Sequence, residues 1–144
     1  CETGSVQVTR LNHLNAHPDL SVLPTVETQE DATTVQSAVT TQLRQTPDLA
    51  AIYCVGAGRR GIIEALKGRP DRPFVVMHDL TDVSRQWLET GQIDAIIDQN
   101  AQLVGEQAVQ YMLGAIAGSP VALGLKQVDP RLILLENLPQ EGAL

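Results

Sequence analysis

The sequence predicts an α/β fold of three layers, an open and mostly parallel sheet with helices on both faces. Three observations predict it. Short apolar runs rich in Val, Ile and Leu alternate with stretches of helical period, four times along the chain. Runs such as Ala-Ile-Tyr-Cys-Val and Phe-Val-Val-Met are continuously apolar, as strands covered on both faces are. Strands joined by helical crossovers run parallel, with right-handed connections.

The elements follow in order. Residues 20–26, Leu-Ser-Val-Leu-Pro-Thr-Val, read as a short strand. Residues 31–45 place Ala32, Val35, Ala38, Val39 and Leu43 at helical spacing, with Asp31 as the cap and Pro47 closing the helix. Residues 50–55 are a second strand. Residues 58–67 are a helix with Ile62, Ile63, Ala65 and Leu66 on its apolar side, and Gly68 stops it. Residues 74–77 make a third strand, and residues 82–89 a helix ended by Gly91. Residues 93–97 are a fourth strand. The longest helix spans residues 101–117 and ends at Gly118-Ser119-Pro120; residues 131–135 are a last β-like run.

Composition narrows the function. The 144 residues have the size of one domain, able to bury one continuous core. Hydrophobic residues make up 43% but aromatics only 3%, so Val, Ile, Leu and Ala must build that core. Ten basic against 17 acidic residues leave a net charge of −7, which repels phosphate backbones and excludes direct nucleic-acid binding. Of the two cysteines, Cys1 is terminal and Cys54 lies in an apolar run, where it reads as a small buried hydrophobe. Unpaired thiols favour a reducing, cytoplasmic setting. The sequence shows no signal peptide and no long apolar span for a membrane. It starts at Cys1 without Met, so the expectation is a fragment of a longer protein.

Parallel strands end along one edge, and ligands of open α/β sheets bind in the crevice outside that edge. The residues just past each strand therefore matter most. They are Glu27, the turn Gly56-Ala57-Gly58-Arg59, the pair His78-Asp79, and Asp98-Gln99-Asn100. A carboxylate accepts from two hydroxyls, and an amide both donates and accepts, so Asp79 and Gln99 suit the hydroxyls of a neutral polyol. The competing reading for both is helix capping or loop structure. His78 is expected beside the site in a structural role, and Asn100 either joins the site or caps the long helix.

Gly56-Ala-Gly58-Arg-Arg-Gly61 is a literal G-x-G-x-x-G directly after a strand, and Asp79 closes the next strand as the ribose-binding acid of a Rossmann-like dinucleotide fold does. The alternative is that the glycines only make a tight strand-to-helix turn. Two features weigh against a cofactor: a strand and helix precede the motif, and no acid–base set accompanies it. His13 and His17 are spaced for a metal on one helix face, but no third ligand is near and Pro18 disfavours helix at His17. The serines lack a G-x-S-x-G context. The expectation is no enzyme, no catalytic residue, no metal and no cofactor.

Residues 47–66, Pro-Asp-Leu-Ala-Ala-Ile-Tyr-Cys-Val-Gly-Ala-Gly-Arg-Arg-Gly-Ile-Ile-Glu-Ala-Leu, resemble a segment of the periplasmic-binding-protein-like sensor domain. Residues 75–81 with Arg85 and residues 88–91 resemble its next βα unit, and residues 93–99 with 105–109 the one after. Residues 133–139, Ile-Leu-Leu-Glu-Asn-Leu-Pro, resemble the closing segment of LacI-family transcription regulators. The likeness spans residues 20–139.

What the resemblance implies goes further. Residues 1–144 would be a single α/β lobe, the C-terminal one of an effector-binding domain, with the N-terminal lobe and the DNA-binding headpiece outside this chain. The lobes would close on a sugar-like small molecule, shifting a population and so controlling DNA binding. The implied partners are that effector, a second copy in a homodimer, and operator DNA through the headpiece alone. By position, Asp79 and Gln99 match the family's polyol-binding strand ends. Gly56 and Ala57 stand where many relatives carry Asn or Asp; Arg59 would compensate, favouring a phosphorylated or acidic ligand. The segment that carries a ligand-binding Arg in relatives is shortened near Arg10. Two alternatives stand beside this reading, a periplasmic sugar-binding protein of an ABC transporter and an NAD-linked oxidoreductase domain.

Overall fold

The structure, a computed structural model, describes residues 21–118 and 128–140. These hold α1 (Ala32–Gln45), β1 (Ala51–Cys54), α2 (Arg60–Leu66), β2 (Phe74–His78), α3 (Asp82–Glu89), β3 (Ala95–Asp98), α4 (Ala101–Ile116), β4 (Arg131–Ile133) and a 3-10 turn at Leu135–Asn137. They fall into two compact units, one with α1 and α2, the other with all four strands, α3 and α4.

The sheet has the order β1-β2-β3-β4. The first three strands are parallel, and β4 closes the edge antiparallel to β3. Register sorts the side chains by face, because successive residues of a strand point to opposite sides. Ile52 pairs with Val75, and Met77 with Ile96, which pairs in turn with Ile133. This face is the core: Val75, Met77 and Ile96 are fully buried and Ile133 nearly so. On the other face Tyr53 pairs with Val76 and Val76 with Ala95, while Phe74, Tyr53 and Leu132 stay about half exposed. Asp94 lengthens the β2–β3 ladder at its amino end, its Oδ2 accepting from the Val75 amide at 2.7 Å and its own amide donating to the Val75 carbonyl at 3.0 Å.

Helix α3 starts at a capping box. The Thr81 hydroxyl accepts from the Ser84 amide at 3.1 Å, and the Ser84 hydroxyl accepts from the Thr81 amide at 2.8 Å. This satisfies two donors that the first turn would otherwise leave orphaned. Gly91 follows the helix at φ 68°, the left-handed conformation that ends helices and that glycine adopts without strain. Helix α4 buries none of its residues, although it is apolar; Val104, Val109, Tyr111, Met112, Leu113 and Ile116 are all exposed. No helix among the described residues is long and apolar enough to cross a membrane.

In the other unit, Asp31 caps α1 by accepting from the Thr34 amide at 2.7 Å and from the Thr34 hydroxyl at 2.8 Å. These two bonds hold the Asp31 carboxyl below its ordinary pKa. Val35 and Leu43 of α1 and Ile62 and Leu66 of α2 are buried. The two helices approach so closely at Gly61 that an added Cβ would collide with the Ala32 carbonyl oxygen.

The expected elements are present with three differences. The strand expected at residues 20–26 is absent from its described part: residues 21–26 are irregular, with Val22 and Val26 exposed. Pro24 has no N–H to give a ladder, and among the described residues no strand pairs with the run. The strand expected at residues 93–97 starts two residues late, because the Asp94 side chain caps the neighbouring strand instead. The final run leaves the sheet after Ile133 and turns into the 3-10 segment, where Asn137 Oδ1 accepts from the Leu134 amide at 2.7 Å. Cys1, Arg10, His13, His17, Ser119 and Pro120 lie outside the described residues, as does Leu20.

Candidate functional site

Since β2 and β3 are parallel neighbours, both deliver the residues that follow them to one edge of the sheet. Asp79 comes directly after β2 and Gln99 directly after β3. Asp79 has φ 64° and Asn100 φ 53°. Side chains are rarely accommodated in that left-handed region, Asn and Asp most readily, and such residues cluster at functional sites.

The conformation of Asp79 is pinned from both sides. Its amide donates to the Ile97 carbonyl at 2.9 Å, continuing the β2–β3 ladder. Its carbonyl accepts from the Ser84 hydroxyl at 2.8 Å, a group fully buried under the start of α3. With its backbone committed in both directions, the carboxylate stands at the sheet edge. There Gln99 Nε2 reaches Asp79 Oδ1 at 3.5 Å.

Behind this pair lies a chain of polar contacts. Gln99 Nε2 also meets His78 Nδ1 at 3.1 Å, and His78 Nε2 meets the Tyr53 hydroxyl at 2.5 Å. Tyr53 and His78 come together because Tyr53 pairs with Val76, two residues before His78 and on the same face. Their ring centroids are 5.4 Å apart and tilted by 57°. Partial burial raises the Tyr53 pKa above the usual phenol value, so the group is neutral at physiological pH.

Asp98, the last residue of β3, faces the opposite way from its neighbour Gln99 and is almost fully buried. Its Oδ2 is bound by the Arg131 guanidinium of β4 at 2.6 Å, and its Oδ1 accepts weakly from the Leu80 amide at 3.4 Å. This carboxylate holds strands together; it is not offered to a ligand.

The sequence-expected residues thus divide. Asp79 and Gln99 are brought together, with His78 behind them. Asn100 stands at the cap position of α4, but its side chain makes no capping bond. Gly56, Ala57 and Arg59 belong to the other unit, where Ala57 is exposed and Arg59 precedes α2 in helical conformation. Glu27 follows no strand and is exposed. The G-x-G-x-x-G glycines have local causes at two of three positions. Gly58 lies at φ 75°, where an added Cβ would press on Val35 and the Glu30 backbone, and Gly61 is the helix crossing. Tyr53 went unnoticed in the sequence. Its signal was there: a hydroxyl-bearing side chain inside an apolar strand requires a partner.

Residues 3–120 match the family model described as periplasmic binding protein domain. The chain belongs to this family. Solved structures share the fold. A glucose-galactose binding protein, GanP, from Geobacillus stearothermophilus is 22% identical with a TM-score of 0.67, over 79% of this chain and 41% of that one. An ABC transporter solute binding protein from Agrobacterium vitis with bound D-fucose is 17% identical with a TM-score of 0.76, over 92% and 46%. A carbohydrate transporter solute binding protein from Agrobacterium radiobacter in complex with D-arabinose is 19% identical with a TM-score of 0.75, over 88% and 44%. The chain therefore spans less than half the length of each of these proteins. Among curated proteins, none matches.

Proposed function

We propose that this chain is one lobe of a sugar-binding protein serving an ABC transporter, and that Asp79 and Gln99 receive the sugar hydroxyls. The observation that carries the reading is the Asp79–Gln99 pair at the sheet edge, an acceptor-only carboxylate beside an amide, with the Asp79 backbone held left-handed by the buried Ser84 hydroxyl. Such a pair accepts from and donates to adjacent hydroxyls of a ring. Membership in a family of binding proteins and the sugars named for the solved relatives support this choice of ligand over a dinucleotide.

The LacI-regulator reading, favoured by the cysteine usage and by residues 133–139, stands second; the homodimer, the operator contact and the cytoplasmic location belong to it. The gene upstream of Cys1 separates the two: an export signal selects the transporter protein, and a helix-turn-helix selects the regulator.

If a two-lobed site binds at about 1 μM and each lobe supplies half the free energy, one lobe binds at about 1 mM. Titrating the chain with D-fucose, D-arabinose and D-galactose while recording amide NMR spectra tests this. The expected result is saturable millimolar shifts centred on His78–Leu80 and Gln99–Ala101, lost in Asp79→Ala. Shifts elsewhere, or none up to about 100 mM, defeat the reading, and submicromolar affinity by calorimetry defeats the assignment to a single lobe.

A further inference from the structure

We propose that His78 is a positioning residue for Gln99, and that its protonation decides which end of the Gln99 amide faces the ligand. The proposal rests on the sugar-binding reading for its consequence, though not for its geometry.

Both imidazole nitrogens are engaged, Nε2 with the Tyr53 hydroxyl at 2.5 Å and Nδ1 with Gln99 Nε2 at 3.1 Å. A neutral imidazole has one donor and one acceptor nitrogen. Because the Gln99 NH2 group can only donate, Nδ1 must be the bare acceptor. The proton then sits on Nε2 and is donated to the Tyr53 oxygen. The second N–H of the Gln99 amide is directed to Asp79 Oδ1 at 3.5 Å. In this state the amide has spent its donors on the protein and offers the ligand its carbonyl oxygen.

Protonating His78 places an N–H on Nδ1, facing the NH2 of Gln99. Two donors cannot bond, so the amide turns over, gives its carbonyl oxygen to the imidazolium and gives up its contact with Asp79 Oδ1. Its NH2 group then faces the ligand. A sugar hydroxyl has a single proton. It cannot donate to Asp79 and to the Gln99 carbonyl together, but it can donate to Asp79 while accepting from the Gln99 NH2. The imidazolium state is therefore the one that lets a single hydroxyl bridge both side chains.

Titratable groups on or directly after the neighbouring strands of this unit include Tyr53, Asp79 and Asp98. Tyr53 lies on β1 and has its pKa raised by burial. Asp79 is the next residue in the chain, linked through Gln99, and Asp98 at the end of β3 is bound to Arg131. Phenols and carboxylates ordinarily titrate well away from imidazole.

The test starts with the unliganded chain. Its only other histidines are His13 and His17, so the imidazole nitrogens of His78 can be assigned by 15N NMR. The expected spectrum shows the Nε2–H tautomer at high pH, and Gln99 side-chain amide signals that shift with the same midpoint as His78. In Tyr53→Phe the tautomer preference is lost while the fold signals persist. A Gln99 amide indifferent to the His78 titration, or an Nδ1–H tautomer, overturns the proposal whether or not any sugar binds.

The second arm is D-arabinose affinity against pH. Wild-type affinity should rise about two- to tenfold as pH falls through the His78 midpoint, the range of one added hydrogen bond. In His78→Gln the profile should be flat. The same slope in His78→Gln, or no slope in the wild type, overturns the proposal. Absence of any arabinose binding defeats the sugar reading instead, and leaves the amide titration of the free chain to decide this one.

Discussion

Asp79 carries two loads that one substitution can separate. Its left-handed backbone is a structural requirement, while its carboxylate has only a weak contact with Gln99 among the described residues. Glycine adopts this backbone without the crowding that a Cβ brings, which costs about 1 kcal/mol for most residues. Asp79→Gly should therefore change stability by less than about 1 kcal/mol in chemical denaturation while abolishing the sugar-induced shifts. A destabilisation of several kcal/mol would mean that the carboxylate is structural. The opposite pattern is expected at Asp98, whose carboxylate is buried and paired.

At the scale of elements, the α1–α2 pair depends on a residue with no side chain. Alanine is the better helix former by about 1 kcal/mol, yet the Cβ of Gly61→Ala would strike the Ala32 carbonyl and the backbone of Gln36. Backbone atoms cannot rotate away as a side chain can. The helices must separate, and the expected net cost is about 1–3 kcal/mol in urea unfolding; a stabilised variant would refute the close crossing. The α1 cap carries a pH signature. Because the Thr34 bonds depress the Asp31 pKa in the folded state, Asp31 favours folding above its unfolded pKa. That contribution is lost as pH falls through the depressed folded value. Asp31→Ala should lower the melting temperature at neutral pH and flatten its decline on the acid side of the ordinary aspartate range, which thermal melts at falling pH will show.

For the sheet as a whole, β4 is the edge that arrives from furthest along the chain, and one ion pair fastens it. Arg131 reaches across 33 residues of sequence to Asp98. Removing the guanidinium in Arg131→Ala leaves the buried Asp98 carboxylate with only the distant Leu80 amide among the described residues. The expected cost is about 2–3 kcal/mol, the pair being partly screened where Arg131 meets solvent. Hydrogen exchange should quicken at Ile96–Asp98 and Arg131–Ile133 and be unchanged in β1. If Asp98→Asn combined with Arg131→Ala does not recover part of the loss, the unpaired charge is not its cause.

The order of helices and strands was legible from the sequence because its signals are local. Asp31 caps the helix that follows it, Gly68 and Gly91 end theirs, and the 82–89 helix lies where the sequence placed it. That Asp79 and Gln99 meet at one edge was legible for a related reason: parallel neighbours end on the same edge whatever their side chains. The partnership of Tyr53, His78 and Gln99 was not, since it depends on β1 and β2 pairing in one register; a shift of one residue would turn Tyr53 to the other face. The loss of the first expected strand and the reversed direction of β4 were likewise decided in three dimensions. A strand exists only against a partner, and its hydrogen bonds are made with residues that no local pattern can name.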